Sequence, residues 1–371
     1  MSRRLSGRPM DSIRRTFPAH IPLYLCAISS IATIAAVLHA YRITPEFEAG
    51  FTFLALFIFF VVAIAALTVM AETLRLVWDG FPDYPLQRMG KRLATGLCAE
   101  DRIGNIFHSV LALFPLLVGY TVFKNAITLI QPFGWDTTFS DLDRMIGFGR
   151  QPWEVLQPLL GHPLITTFLS YAYYVWFFIL FACLAGQGFS RRSSLLRMQF
   201  LLAMALAFFV GGCVLAVFFS SAGPCYFAHL NLGASPYDQQ LAYLRGIGPH
   251  PLPSVLVQDA LWNDFADGAL RRGVSAMPSM HVIIALIIGL FGWRKGGVFA
   301  PVLPAFAFVI ALASVHLAWH YACDSIAGIV LGSLFWYAAG HIVEAWIGYL
   351  SRTAPQTATS YGSAAATGME V

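Results

Sequence analysis

The chain contains eight stretches in which most residues are apolar, and their length constrains the fold more than any other feature. A helix that crosses the hydrocarbon core of a bilayer needs roughly 20 predominantly apolar residues. The eight stretches cover residues 21–41, 51–71, 103–129, 164–187, 198–220, 277–293, 298–316 and 325–347. Each of them is predicted to be a transmembrane helix.

The overall composition supports the same interpretation. The hydrophobic fraction is 58%, the charged fraction is 11% and the mean hydropathy is +0.67. A soluble chain of this length could not cover its surface with polar groups. The predicted fold class is therefore all-α: a polytopic membrane helical bundle with about eight transmembrane helices.

The positive charges are distributed unevenly between the two sides that these spans define. If the N-terminus is cytoplasmic, 16 of the 23 Lys and Arg residues lie on the cytoplasmic side and 7 on the other. Cytoplasmic loops carry an excess of Lys and Arg, so both termini are predicted to be cytoplasmic. The net charge of +4 then records arginines that meet anionic lipid headgroups, and it does not suggest a nucleic-acid partner.

The chain shows neither an internal repeat nor a segment large enough to fold as a separate soluble domain. We expect a basic cytoplasmic N-terminus over residues 1–20, a single membrane-embedded domain over residues 21–350 and a disordered tail over residues 351–371. Five arginines precede the first span, as in a signal peptide, but no small-residue cleavage site closes it, so an uncleaved anchor is expected.

Two longer segments, 131–163 and 222–275, are predicted to face outward, and long ordered loops often carry function. The first contains Asp136, Asp141 and Asp143. These aspartates either contact an acceptor hydroxyl or belong to a solvated loop.

The first concentration of chemistry lies at the start of the sixth predicted span, where residues 275–281 read Ser-Ala-Met-Pro-Ser-Met-His. Pro is preorganised for the first turn of a helix, and the amides of that turn have no intrahelical partner. They can hold an anion, for which phosphate is the natural candidate. Ser279 adds a hydroxyl donor, and His281 could protonate a leaving oxygen. The alternative is an ordinary helix start with a locally bonded histidine.

The second concentration lies at the end of the seventh predicted span, where residues 316–324 read His-Leu-Ala-Trp-His-Tyr-Ala-Cys-Asp. If the segment is helical, His316, His320 and Asp324 share one face. An aspartate one turn from a histidine can fix its tautomer and stabilise its positive charge. Ionisable residues at membrane depth are costly and usually functional.

Together these two runs resemble the second and third motifs of the type 2 phosphatidic acid phosphatase superfamily, the lipid phosphate phosphatases. Pro-Ser-x-His is followed some forty residues later by His-Tyr-x-x-Asp, and the likeness covers a catalytic core at about residues 164–347. The resemblance implies that His320 attacks phosphorus to form a phosphohistidine, that Asp324 orients it and that His281 protonates the leaving group. It implies that Ser279 binds phosphate oxygens and that no metal or other cofactor is needed.

Two phosphate-binding elements of the superfamily pattern are missing: the first motif, Lys-x6-Arg-Pro, and the Arg of the third motif. Residues 220–226, Ser-Ser-Ala-Gly-Pro-Cys-Tyr, stand where the first motif is expected, and Ser314 stands where the third motif has its Arg. This departure is more similar to the inositolphosphotransferase branch, which includes inositolphosphorylceramide synthase. The replacement cations proposed from the sequence are Lys124, Arg271 and Arg272, and His316 is a further candidate phosphate contact. Lys124 could equally snorkel to the interface, and the two arginines could contact lipid headgroups.

The leading hypothesis is thus a membrane phosphotransferase, with the active site on the extracytoplasmic face. The predicted reaction transfers an inositol-phosphate-type headgroup from a lipid phosphoester to a lipid alcohol. The predicted partners are these two lipids and the membrane itself, while the oligomeric state is left open. The nearest alternative is a lipid phosphate or diphosphate phosphatase. A second is a non-enzymatic lipid transporter, in which the same histidines relay protons. A third is a zinc or haem site built from His316, His320 and Asp324.

Overall fold

A computed structural model of the chain describes residues 9–80, 83–267 and 273–353. All regular elements in these ranges are helical, which confirms the predicted fold class. The α-helices are α1 (Pro9–Ala40), α2 (Glu48–Trp78), α3 (Pro85–Leu97), α4 (Arg102–Ile130), α5 (Asp136–Ile146), α6 (Pro152–Leu160), α7 (Pro163–Gly188), α8 (Leu195–Leu206), α9 (Ala216–Phe218), α10 (Asp238–Arg245), α11 (Pro253–Ala266), α12 (Met280–Lys295), α13 (Phe299–His316) and α14 (Ala322–Thr353). A π-helical stretch, Ala207–Leu215, joins α8 to α9, and a short 3-10 helix covers Pro224–Leu230.

Seven helical runs in the described part of the chain are long and apolar enough to cross a membrane. They are α1, the Ile58–Trp78 part of α2, α4, α7, the continuous run Leu195–Phe218, α13 and α14. The sequence predicted about eight spans, and the difference lies in α12. This helix has 16 residues, about 24 Å at 1.5 Å per residue, and the hydrocarbon core is about 30 Å thick.

Helix α12 lies inside the bundle. Its side chains at Ile283, Ile284, Ile287 and Ile288 are all fully buried, and it packs against α13, α14 and α8. A helix that is apolar on every side is stable only when other helices surround it, which explains why this short helix is so hydrophobic. Its first residues are therefore presented within the protein.

The ends of the predicted domain differ in how much the structure describes. Helix α1 begins at Pro9 and so includes residues 9–20 of the predicted basic segment. Helix α14 continues to Thr353. Residues 354–371, which make up most of the predicted tail, lie outside the described residues.

The short helices α5, α6, α10 and α11 gather at one end of the bundle, where α4 ends and α14 begins. Hydrogen bonds fix α11 over this end. The hydroxyl of Tyr226 donates to the carbonyl of Gln258 at 3.0 Å, and the Gln258 side-chain amide donates to the carbonyl of Leu317 at 2.8 Å. These connections close a roof over the space between the long helices.

Candidate active site

A cavity of about 380 Å³ lies beneath this roof, between α4, α7, the π-helical stretch and the start of α12. Its ionisable lining residues include Lys124, His281 and His320. Most of the wall is apolar or aromatic, with side chains from Tyr120, Tyr173, Tyr174, Trp176, Phe177, Phe208, Tyr226 and Trp319. Apolar walls with a few convergent polar groups are typical of a ligand site, and here they suit a lipid-like molecule.

The π-helical stretch forms one wall of the cavity. Gly212 lies in this stretch and lines the cavity, and a Cβ atom there would overlap the ring of Tyr120. The Tyr120 ring stacks edge-on against Phe208, with ring centroids 5.0 Å apart. Because Gly212 has no side chain, Tyr120 packs directly on the backbone of the π-helical stretch. Turns of π-helix are frequent at functional sites.

Residues 275–281, the second-motif run, are hydrogen-bonded to the loop 220–226, which stands where the first motif is expected. The N–H of Ala276 donates to the carbonyl of Ser221 at 2.9 Å, and the N–H of Met277 donates to the Ser221 hydroxyl at 3.2 Å. Ser279 is the N-cap of α12, and its hydroxyl oxygen accepts from the N–H of Val282 at 3.4 Å. Accepting this bond leaves the Ser279 proton free to donate elsewhere.

His281 is held between two aromatic rings of α7. Its ring centroid lies 4.3 Å from that of Tyr173 and 4.3 Å from that of Trp176. The indole N–H of Trp176 also donates to the His281 carbonyl at 3.1 Å. Ring stacking and this hydrogen bond orient the imidazole, whose centroid lies 6.3 Å from that of His320 across the cavity.

The third-motif run is not a continuous helix, so the prediction that His316, His320 and Asp324 share one helical face is wrong. Helix α13 ends at His316 and α14 begins at Ala322. Ala318 in the intervening turn has φ of 60°, a left-handed conformation that ends a helix. The shared-face geometry that the zinc alternative required is therefore missing as well.

The turn nevertheless brings His320 and Asp324 together. The N–H groups of Trp319 and His320 both donate to the carbonyl of Ser314, at 3.1 and 3.0 Å. This folds the chain back so that His320 Nδ1 lies 3.5 Å from Asp324 Oδ2. Asp324 is fully buried and accepts from the N–H of Tyr321 at 3.1 Å. The His320–Asp324 pairing predicted from the spacing is present, although a turn creates it.

His316 has different neighbours. Its Nε2 lies 2.9 Å from the hydroxyl of Thr166, which is also 2.9 Å from the hydroxyl of Tyr243. The histidine is 1% exposed and is not one of the cavity-lining residues. The structure therefore separates His316 from the His281 and His320 pair.

The structure describes one of the three cations that the sequence proposes for phosphate binding. Lys124 lines the cavity together with both histidines. Arg271 and Arg272 lie outside the described residues, next to Gly273, which does line the cavity. Ser314, at the position of the missing arginine, is buried; its hydroxyl donates to the Ala311 carbonyl at 2.8 Å and lies 2.7 Å from the hydroxyl of Ser325 in α14.

Two aspartates of α5 have a role that the sequence interpretation missed. Asp136 accepts from the N–H groups of Ala222 and Gly223, at 3.0 and 2.9 Å, and from the hydroxyl of Tyr321 at 2.8 Å. Asp136 therefore does not belong to a solvated loop, and its carboxylate is not free to contact the hydroxyl of an acceptor alcohol. Burial raises the pKa of the Asp136 carboxyl, while these hydrogen bonds oppose the rise.

Asp143 binds the start of α14. Its carboxylate accepts from the N–H groups of Ala322 and Cys323, at 2.7 and 2.9 Å. Burial raises the pKa of Asp143 to about 6, the two N–H donors oppose that rise, and the nearby Asp324 adds to it. The sequence did hold a signal for both residues, because a separation of seven positions places them on one face of a helix.

Comparison with known proteins identifies the family. A sequence profile of the PAP2 superfamily matches residues 137–338, more than half of the chain. The chain belongs to the PAP2 superfamily. Searches found no match among curated proteins and none among solved structures.

Membership of the PAP2 superfamily makes the protein an enzyme of the phosphatase or phosphotransferase type, acting on lipid-like phosphoesters. Together with seven apolar helices, it also makes the protein an integral membrane protein. The matched range contains Ser279, His281, His320 and Asp324, and it starts in α5, ahead of the predicted core at residue 164.

Proposed function

We propose that this PAP2-superfamily protein transfers a phosphoryl or phospho-alcohol group between lipids through a phosphohistidine formed on His320. The observation that carries the proposal is the pair of histidines on one cavity, with ring centroids 6.3 Å apart and Asp324 beside only one of them. A nucleophile backed by a carboxylate and a separate proton donor are the two groups that this reaction needs.

The geometry suggests how the two half-reactions proceed. Asp324 faces Nδ1 of His320, which leaves Nε2 to attack phosphorus. The P–N bond forms, the P–O bond to the departing lipid alcohol breaks, and His281 gives its proton to the departing oxygen. In the second half-reaction an acceptor alcohol or water attacks phosphorus, His281 takes the acceptor proton and the P–N bond breaks. Asp324 stabilises the Nδ1–H of His320 while its ring carries positive charge.

Phosphoryl transfer depends on positioning and on stabilising negative charge. We assign Lys124 as a cation that faces the phosphoryl group, because it lines the cavity with both histidines. Ser279 is a further candidate donor, because its hydroxyl retains a proton and its neighbours Pro278 and Met280 line the cavity. Arg271, Arg272 and His316 remain proposals from the sequence, and His316 has the least support because its Nε2 contacts Thr166 instead.

Transfer to an alcohol acceptor, as in the inositolphosphotransferase branch, is the preferred outcome of the second half-reaction. Its support is the loop 220–226, which replaces the cationic first motif of the phosphatases. Hydrolysis is the second candidate, because water can use the same phosphohistidine. We place the active site on the extracytoplasmic side and both termini in the cytoplasm, on the distribution of Lys and Arg.

The test is lipid mass spectrometry on the purified protein with phosphatidylinositol or phosphatidic acid as donor and with ceramide, or a diacylglycerol whose acyl chains differ from those of the donor, as acceptor. We expect a new phospholipid from the wild type and none from His320→Ala. The matched control is His341→Ala, because His341 is an exposed histidine of α14, the helix that follows the His320 turn. Free phosphate from phosphatidic acid, or free inositol phosphate from phosphatidylinositol, without a new lipid would make the enzyme a hydrolase. Full activity in His320→Ala would exclude the phosphohistidine.

A transporter would behave differently in the same preparation. It would move lipid between the leaflets of a vesicle without forming any acid-labile phosphoenzyme. Labelling with a donor that carries radioactive phosphate tests this directly, since we expect label on the wild type and none on His320→Ala.

A further inference from the structure

Helix α5 places two buried carboxylates on one face. Asp136 and Asp143 are 1% and 2% exposed, whereas Asp141 of the same helix is exposed. Buried carboxylates are costly unless hydrogen-bonded, and both of these have several donors. The question is what these two residues hold in place.

Asp143 holds the first turn of α14. The N–H groups of Ala322 and Cys323 have no partner within a helix that begins at Ala322, and the Asp143 carboxylate accepts both. The next residue is Asp324, whose Oδ2 lies 3.5 Å from His320 Nδ1. A shift of this turn would therefore change the distance between the nucleophile and its carboxylate.

Asp136 holds the residue that directly follows the nucleophile. Tyr321 directly follows His320, is fully buried and donates its hydroxyl to Asp136 at 2.8 Å. The same carboxylate accepts from Ala222 and Gly223 of the loop that replaces the first motif. One helix thus ties the His320 turn to the loop that anchors the second-motif run.

We propose that Asp143 and Asp136 are positioning residues of the transfer reaction, which set the His320–Asp324 pair by holding the backbone and side chains around it. This inference rests on the proposed function. Neither aspartate touches the substrate, and each acts through the turn that carries the nucleophile. Asp143 acts through the backbone next to Asp324, and Asp136 acts through Tyr321.

The decisive experiment is a double-mutant cycle on the rate of phosphoenzyme formation in a single turnover. Asp143→Asn keeps the size of the side chain but removes one of its two equivalent acceptors. We expect a loss of roughly 10- to 100-fold, the range known for outer partners that orient metal ligands, with the substrate concentration for half-maximal rate nearly unchanged. In an Asp324→Asn background the same substitution should cost almost nothing, because Asp143 acts through Asp324.

The control variant is Asp141→Asn, which changes an exposed aspartate of the same helix and should react at the wild-type rate. A general structural defect in Asp143→Asn would reduce the rate by the same factor in both backgrounds. That result would overturn the inference, as would a wild-type rate in Asp143→Asn.

A second variant keeps the inference testable if Asp143→Asn does not fold. Tyr321→Phe removes only the hydroxyl that reaches Asp136, and we expect a loss of several-fold in the phosphoenzyme rate with KM unchanged. A wild-type rate would refute the Asp136 part of the inference. If His320→Ala still forms a phosphoenzyme, the proposed function fails. If His320→Ala forms no phosphoenzyme but Asp143→Asn reduces the rate by the same factor in both backgrounds, the proposed function stands and the positioning role alone fails.

Discussion

The most consequential pair of single residues is His320 and Asp324. Burial makes an isolated carboxylate costly, and a protonated imidazole 3.5 Å away would offset that cost. In the proposed mechanism, the positive charge that His320 develops during its attack on phosphorus would be matched by the Asp324 carboxylate, which is already in place. Electrostatic groups that are in place before the reaction need no reorganisation during it.

Asp143 gives a prediction about stability and pH. Its carboxyl has a pKa of about 6 in the folded protein, against about 3.9 in an unfolded chain. Between these values the folded state binds more protons than the unfolded state, so the contribution of Asp143 to stability falls as pH rises through this window. A difference of about two in pKa between the folded and unfolded states corresponds to roughly 3 kcal/mol in the free energy of unfolding.

We therefore expect the free energy of unfolding of the wild type, relative to Asp143→Asn, to decrease by up to about 3 kcal/mol between pH 4 and pH 7. The measurement is denaturant unfolding in detergent at a series of pH values, with Asp141→Asn as the reference for an exposed carboxyl. A wild-type advantage that grows as pH rises would show that the folded carboxylate is favoured, contrary to this prediction.

At the scale of elements, the start of α12 combines two tasks. Ser279 ends the extended segment and caps the helix, so the helix dipole and its free N–H groups are presented close to the cavity. The same hydroxyl retains a proton, which we propose that it donates to a phosphate oxygen. A short, fully surrounded helix is suited to this, because its first turn lies inside the protein and away from bulk water.

The two tasks of Ser279 can be separated by comparison with Ser194, which caps α8 and accepts from the N–H of Arg197 at 3.1 Å. We expect Ser279→Ala and Ser194→Ala each to lose about 1 kcal/mol of stability, the usual value of a helix cap. Only Ser279→Ala should also lose about tenfold in kcat/KM, because a hydrogen bond to a charged group contributes about 1.5 kcal/mol or more.

Thermal unfolding and initial-rate kinetics on the two variants provide the measurements. Equal kcat/KM values for Ser279→Ala, Ser194→Ala and the wild type would restrict Ser279 to its capping role. They would leave the phosphate to Lys124 and to the amides of the first turn.

At the scale of the whole molecule, the groups proposed for chemistry that the structure describes lie at the end of the bundle where α4 and α13 end and α14 begins. On the distribution of Lys and Arg, we propose that this end faces the extracytoplasmic side. Cys98, which follows α3, lies toward the opposite end and is the exposed cysteine among the described residues. It therefore reports on the orientation of the protein.

We predict that a membrane-impermeant maleimide will label Cys98 in intact cells only after the membrane is permeabilised. The control replaces Cys98 by Ser and introduces Gln239→Cys, an exposed position of α10 at the opposite end. This variant should be labelled without permeabilisation. The reversed pattern would place the active site in the cytoplasm and the orientation proposal would be wrong.

The sequence by itself determined the membrane class and the helical fold, and it predicted the chemical groups. Long apolar runs have few alternatives to a spanning helix in a bilayer, because lipid offers no partner for backbone N–H and C=O groups. The Pro-Ser-x-His and His-Tyr-x-x-Asp runs predicted His281, His320 and Asp324, since their spacing along the chain is local and their residue types are chemically specific.

Only the tertiary structure decided how these groups meet. The turn at residues 317–321 places His320 beside Asp324 and sends His316 toward Thr166, which helical periodicity could not predict because a backbone reversal ends the helix. The aspartates of α5 are about 180 residues away in sequence from the turn that they hold. Such contacts depend on how helices pack, and packing decides which polar groups of an apolar chain find partners.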